Sequence, residues 1–170
     1  MDMSKDNSPA PDLATPTDLR RNDRSKVADA LNAVLADSFA LYLKTKNFHW
    51  HISGPHFRDY HLMLDDQGAE ILGTTDDIAE RVRKIGSTTL RSIKDISRRQ
   101  SIRDNDAEFV APEAMLAELR EDNLHLVEGF RKVKELADEA KDNATSGIVD
   151  TWTDLAERRA WFLFEATRKS

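Results

Sequence analysis

The stretch Phe57-Arg58-Asp59-Tyr60-His61-Leu62-Met63-Leu64-Asp65-Asp66-Gln67-Gly68-Ala69-Glu70-Ile71-Leu72-Gly73-Thr74-Thr75-Asp76-Asp77-Ile78-Ala79-Glu80-Arg81-Val82 decides the fold. Phe57, Leu64, Ile71, Ile78 and Val82 recur at intervals of seven, seven and four, the spacing of a helix that lays one seam against its neighbours in a bundle. The predicted helix runs from about His56 to Ile85. Before it, Val27, Leu31, Val34, Leu35, Ala36, Phe39 and Tyr42 keep helical spacing from Ser25 to the Ser53-Gly54-Pro55 break, a helix of about 27 residues. After it the periodicity fades between Gly86 and Val110, where Leu90, Ile93 and Ile96 mark a short helix inside a long crossover. Pro112 then opens a third helix carrying Met115, Leu119, Leu126, Phe130, Val133 and Ala137 on one face. A turn over Asp142-Asn143-Ala144-Thr145-Ser146-Gly147 leads to a fourth, with Ile148, Trp152, Leu155, Leu163 and Phe164. No segment alternates with period two. The expected fold class is all-α: a four-helix bundle with a short helix in the long crossover between its second and third helices.

Residues 1–24 show no apolar period and hold Pro9, Pro11 and Pro16 among Ser, Thr and Asp, so they are expected to form a disordered tail ahead of one domain over 25–170. The 170 residues are ample for a self-sufficient core. The absence of cysteine excludes disulfides, thiol nucleophiles and thiolate metal sites, so any transition metal must be held by imidazole and carboxylate. No apolar run approaches the ~20 residues of a membrane span and none reads as a secretory leader, so a soluble, cytoplasmic protein is expected. With 25 basic and 31 acidic side chains the net charge is −6, which opposes polyanion binding by the surface as a whole. Only Arg20, Arg21, Arg24 and Lys26 cluster as a local basic patch.

The quoted helix also carries chemistry. His61/Asp65 and Asp76/Glu80 are two i, i+4 pairs, although 31 acids and five histidines supply about seven such pairs by chance. Their arrangement is more informative. At ~100° per residue all four lie within one ~100° stripe, on a different face from the apolar seam. At ~1.5 Å per residue His61 and Glu80 stand roughly 28 Å apart, so one chain cannot unite them. An antiparallel twofold through position 70.5, the midpoint of both 61/80 and 65/76, sets each His61/Asp65 against a partner's Asp76/Glu80. Gly68, Ala69 and Gly73 lie where such helices would cross, and each glycine costs a helix about 1 kcal/mol relative to alanine. The stripe reads equally as a solvated salt-bridge face with incidental glycines. His49, eighteen residues or five full turns after Leu31, points along the buried stripe of the first helix, and the short turn sets it level with His61. Two imidazoles and three carboxylates without sulfur suit Fe(II), Mn(II) or Zn(II).

The run His49-Trp50-His51-Ile52-Ser53-Gly54-Pro55-His56-Phe57, followed by His61, Asp65, Asp76 and Glu80, closely resembles the Dps family of mini-ferritins, the DNA-binding proteins from starved cells. Every fixed position of the pattern H-W-x-x-x-G-x-x-F-x-x-x-H-x-x-x-D, then D-x-x-x-E eleven residues on, is met. The resemblance covers the chain from about Ser25 onward. It implies a ferritin-like bundle in a hollow dodecamer, with a ferroxidase centre at each twofold interface. There Fe(II) would be oxidised, preferentially by hydrogen peroxide, and ferric mineral stored, protecting the cell from oxidative stress in stationary phase. By that resemblance His49, His61 and Asp65 come from one subunit, Asp76 and Glu80 from its neighbour, and the site takes iron, with Zn2+ or Mn2+ as alternatives. The alternative function is a nucleoid-compacting DNA-binding protein with a vestigial metal site, DNA being met by the N-terminal tail.

Trp50 is expected to be a packing residue or an electron sink, and Trp152 and Trp161 packing residues. His51, His56 and His125 read as surface residues, and the Glu partners that an Asp122-x-x-His125 pair would need for an intrabundle centre are missing. Asp150, Asp154 and Glu157 form a carboxylate ridge where the family often lines iron-admitting pores.

Overall fold

The computed structural model describes residues 9–169. Four long helices, α1 (Arg21–His51), α2 (Phe57–Lys84), α4 (Pro112–Glu139) and α5 (Asn143–Thr167), form the bundle, and a short α3 (Ile93–Arg99) lies in the crossover. Among the described residues there is no strand. The α1/α2 and α4/α5 pairs are hairpins with short connections, and α1 also packs on α4. Leu31, Leu35, Leu41 and Phe48 of α1 meet Leu64, Ile71, Ile78 and Val82 of α2, Leu116, Leu119, Leu126 and Phe130 of α4, and Trp152 and Leu163 of α5 in one core. The heptad seam of α2 is thus buried, with one exception: Phe57 is 45% exposed. At the first residue of its helix it has no neighbouring turn to cover it, and its ring stacks on His61 instead. Phe164 likewise stays outside the core, beneath the Arg120 guanidinium.

Two buried polar residues of α1 explain the path of the crossover. Asn32 donates to the Thr88 carbonyl (3.0 Å) and accepts from the Thr89 hydroxyl (2.8 Å). Asp37 accepts from the backbone amides of Ser101 (2.5 Å) and Ile102 (2.9 Å) and from the Ser101 hydroxyl (2.7 Å). A carboxylate buried on a bundle helix must find donors, and here the returning loop supplies them. The Ser92 side chain caps α3 at the Asp95 amide.

The chain ahead of α1 departs from expectation. Residues 1–8 lie outside the described residues, but 9–20 follow the surface of the α2–α3 loop, with a 3-10 turn at Pro11–Leu13, and α1 begins at Arg21 rather than Ser25. The Arg83 guanidinium donates to the Leu13 carbonyl (2.8 Å), and Leu19 packs against the core. Gly86 makes the approach possible. It sits at φ +84°, and a Cβ there would meet the Arg24 guanidinium at 2.8 Å and the Thr15 carbonyl at 2.9 Å. Residues 9–20 thus make backbone and side-chain contacts that composition does not reveal.

The last turn is also tighter than predicted. It closes over Ala140–Asp142, with Lys141 at φ +58°, so residues 143–147 are already helical. Asp142 accepts from the Thr145 amide as the cap of α5 and from Arg81 of α2.

Candidate metal centre

His49 lies in the last turn of α1 and His61 in the second turn of α2, level with each other across the short turn that joins the helices. Their rings stack with centroids 3.8 Å apart and planes 20° from parallel. His49 Nδ1 lies 2.7 Å from the His61 carbonyl, and His61 Nδ1 lies 2.8 Å from the His49 carbonyl. A carbonyl oxygen only accepts, so both Nδ1 atoms carry the proton and donate it. In the neutral rings each Nε2 therefore keeps a free lone pair. This backbone clamp is the kind of orienting contact that metal-ligating imidazoles use.

Asp65, one turn after His61, presents Oδ1 at 3.8 Å from His49 Nε2. The same oxygen accepts from Lys46 Nζ at 2.6 Å. That hydrogen bond, with the charge of Lys46 behind it, holds the Asp65 carboxyl below the usual carboxylate range. Asp76 and Glu80 are exposed further along the same face, and Glu80 pairs with Lys84 at 3.3 Å. Because α2 is unbroken from Phe57 to Lys84, eleven residues keep Asp76 roughly 16 Å along the axis from Asp65. His49, His61 and Asp65 are gathered on one side, but among the described residues of one chain no three His, Asp or Glu side chains stand close enough to hold a metal.

The bare backbone of Gly68 lies beside Lys46 of its own chain, where a Cβ would stand 3.1 Å from Lys46 Cδ, whereas a Cβ at Gly73 would meet no atom from elsewhere in the described residues within 4 Å. Trp50 is 58% exposed and Trp161 60% exposed, so neither is a packing residue within the chain; Trp152 is buried against Phe130. Trp161 lies edge-on to Phe162 on the outer face of α5. Of the carboxylate ridge, Asp150 is paired with Lys134 (2.9 Å) and Glu157 with Arg131 (3.0 Å), while Asp154 is exposed. His51 and His56 are exposed, and His125 is half-exposed against the Ser101 hydroxyl.

Sequence reasoning missed the polar centre of the bundle. Arg159, 4% exposed, donates from Nε to Asn123 Oδ1 (2.7 Å) and from Nη1 to Glu70 Oε1 (2.7 Å), while Gln67 donates to its carbonyl. Its position seven residues after Trp152 and four before Leu163 put it on the buried stripe. A guanidinium thus stands among α2, α4 and α5, where an intrabundle di-metal protein would gather carboxylates. The position of Lys46, three residues before His49 on the same face, carried a similar signal.

A family model for the ferritin-like domain matches residues 28–169. The DNA protection during starvation protein of Agrobacterium fabrum is 32% identical over 88% of this chain and 92% of its own length. Two solved structures are similar throughout. DpsC from Streptomyces coelicolor has a TM-score of 0.87 at 25% identity, covering 91% of each chain. The Dps protein from Bacillus brevis has a TM-score of 0.84 at 28% identity, covering 88% of this chain and all of that one. The fold therefore defines a ferritin-like domain protein. Within that class, the chain belongs to the Dps family.

Proposed function

We propose that this protein is a ferroxidase and iron store: pairs of chains oxidise Fe(II) with hydrogen peroxide, and a hollow homo-oligomer, a dodecamer, keeps the ferric product. Fe(II) is the substrate. His49, His61 and Asp65 of one subunit and Asp76 and Glu80 of its partner are the ligands. Iron at such a centre gives up electrons: two Fe(II) supply one each to a peroxide, which takes up two protons and leaves as two waters, so no hydroxyl radical escapes. The chain's part is to orient. The observation that carries the reading is the reciprocal Nδ1 clamp of His49 and His61, which leaves two Nε2 lone pairs beside the Asp65 carboxylate. The donor set of imidazole and carboxylate fits iron and accommodates Zn2+ or Mn2+. The exposed Asp76/Glu80 pair, out of reach on its own helix, fits a site completed by a second chain.

Family members are named for DNA protection, and in this reading the protection comes from removing iron and peroxide together in the cell's interior. The alternative, DNA held by a basic N-terminal arm, has less support. Arg21 and Arg24 stand in the first turns of α1, and residues 9–20 follow the loop surface. No helix is long and apolar enough to cross a membrane.

The test is to add Fe(II) to the apo-protein, then substoichiometric peroxide, and follow ferric absorbance. Oxidation faster than in buffer alone is expected, with two irons consumed per peroxide. A rate equal to the buffer blank would sink the proposal, as would a monomeric mass.

A further inference from the structure

Between α2 and α5 lies an open groove of about 370 Å3 that includes none of the candidate metal ligands. Leu62 and Met63 of α2 and Phe162 of α5 give it apolar walls. Three carboxylates of α2 line it, Asp59, Asp66 and Glu70, with two guanidiniums of α5, Arg158 and Arg159. These charges are unevenly met. Glu70 takes both guanidiniums: Arg159 Nη1 donates to Oε1 at 2.7 Å and Arg158 Nη1 to Oε2 at 3.4 Å. Arg158 also lies over the Phe162 ring, 5.2 Å from its centroid. Asp59 and Asp66 are exposed and pair with no cation among the described residues.

The wall of the groove holds a neutral acceptor as well. Gln67 is 7% exposed and donates from Nε2 to the Arg159 carbonyl at 3.3 Å. A carbonyl only accepts, so this bond fixes which way the amide lies and leaves Oε1 as its free end. Among the described residues no sealed side-chain nitrogen or oxygen lacks a partner. Oε1 has none, so it must be open to the groove that Gln67 lines.

The spacing selects the ligand. Asp59 and Asp66 are seven residues apart, two helical turns, so they stand about 10.5 Å apart along one face of α2, ~100° round from Asp65. Leu62 and Met63 lie between them. Tyr60 bonds the Ala166 carbonyl and Glu70 bonds Arg159, so α5 runs antiparallel here and brings Phe162 level with Asp66. No single metal ion bridges that span, and an anion would be repelled by two unpaired carboxylates. An ammonium at each end with methylenes between suits both the carboxylates and the apolar walls. We propose that this groove binds a linear aliphatic polyamine, a triamine of spermidine's length. Its terminal ammoniums meet Asp59 and Asp66, its chain lies over Leu62, Met63 and Phe162, and Gln67 Oε1 accepts from one ammonium. Arg158 and Arg159, one turn beyond Asp66, repel any further ammonium and so limit the length. The proposal does not rest on the ferroxidase reading, because none of these groups is a ligand of the candidate centre.

The test uses the full-length assembled apo-protein and spermidine alone, titrated calorimetrically. The variants are Asp59→Asn, Asp66→Asn, the two combined, and Glu135→Gln, which removes an equal charge from the exposed face of α4. Saturable binding of one spermidine per chain is expected. Each Asp→Asn change should weaken it about 5-fold, the worth of one exposed ion pair, and both together about 25-fold. Glu135→Gln should bind as the wild type does. Putrescine, too short to reach both carboxylates, should bind about 5-fold more weakly than spermidine. Melting temperatures should barely change, since asparagine keeps the shape of these exposed side chains. Absence of saturable binding overturns the proposal, as does equal binding by the wild type and the double variant. Weakening by Glu135→Gln as large as by Asp66→Asn would mean diffuse attraction to an acidic surface and overturns it too. Putrescine binding as tightly as spermidine would show that the span between the two carboxylates is not read, with the same consequence.

Discussion

His49 and His61 each donate Nδ1–H to the other's backbone carbonyl, at 2.7 and 2.8 Å, across the turn between α1 and α2. Each histidine thereby fixes its partner's tautomer, and the two helices are tied together at the point where the lone pairs are needed. Replacing either ring should hurt twice. His61→Ala is expected to weaken Co(II) binding at least ~10-fold, the lower end of what loss of even an orienting partner costs a metal site. It also leaves the His49 ring without its stacking partner. Calorimetric titration of Co(II) measures the first effect, and wild-type affinity in His61→Ala would contradict it.

In the bundle interior Arg159 bridges Glu70 and Asn123. Arg159→Met should cost roughly 2 kcal/mol, because Asn123 Oδ1 loses its donor and Glu70 keeps only its longer 3.4 Å pair with Arg158. Denaturant unfolding of the apo-protein checks this. A loss under ~1 kcal/mol would mean that water reaches Glu70 freely.

Asp122 lies against Lys44 at 2.7 Å, but burial dominates and holds its carboxyl above the usual carboxylate range. The folded chain thus grips this proton more tightly than the unfolded one. Its contribution to stability is fully present below the ordinary Asp value of about 3.9 and is lost as pH rises through the raised native value. Asp122→Asn, which cannot titrate, should therefore gain on the wild type as pH rises from about 4 to 7. Urea unfolding across that range reads the trend, and a difference that stays flat or shrinks would refute it.

Gly86 holds φ +84° with the Thr15 carbonyl and Arg24 guanidinium closing over its α-carbon. Gly86→Ala should cost roughly 1–2 kcal/mol from the left-handed backbone alone. It should also lift residues 9–20 from the loop, because the carbonyl cannot yield to a methyl group. Faster tryptic cleavage after Arg20 or Arg21 is the expected sign, and cleavage at the wild-type rate would show that the segment is held elsewhere.

Much of this was legible in the chain itself. The seven-seven-four spacing on α2 is seen as buried Leu64, Ile71, Ile78 and Val82, and Ile93 and Ile96 do lie in a short helix inside the crossover. His49 lies on the buried side of α1, level with His61, as five full turns from Leu31 require. The misreadings share a cause. Phe57, Phe164 and Trp161 are apolar and correctly spaced, but they fall at helix ends or on an outer face where no other helix of this chain arrives. Residues 9–20 have the composition of a tail, and their contacts with Arg83 and Gly86 reach more than sixty residues along the chain, beyond what any local pattern carries.

By itself the sequence determined what repeats along a helix: the class of fold, the order of its elements, and the face on which His61, Asp65, Asp76 and Glu80 lie, because helical geometry is local and periodic. Only the tertiary structure decided which atoms of those residues are available. The tautomer of two histidines, the ammonium already bound to Asp65, the Lys46 stem beside Gly68 and the guanidinium at the bundle centre all depend on where a second helix places its side chains. A hydrogen bond is decided within a few tenths of an ångström between residues far apart in the chain, and no periodicity carries that information.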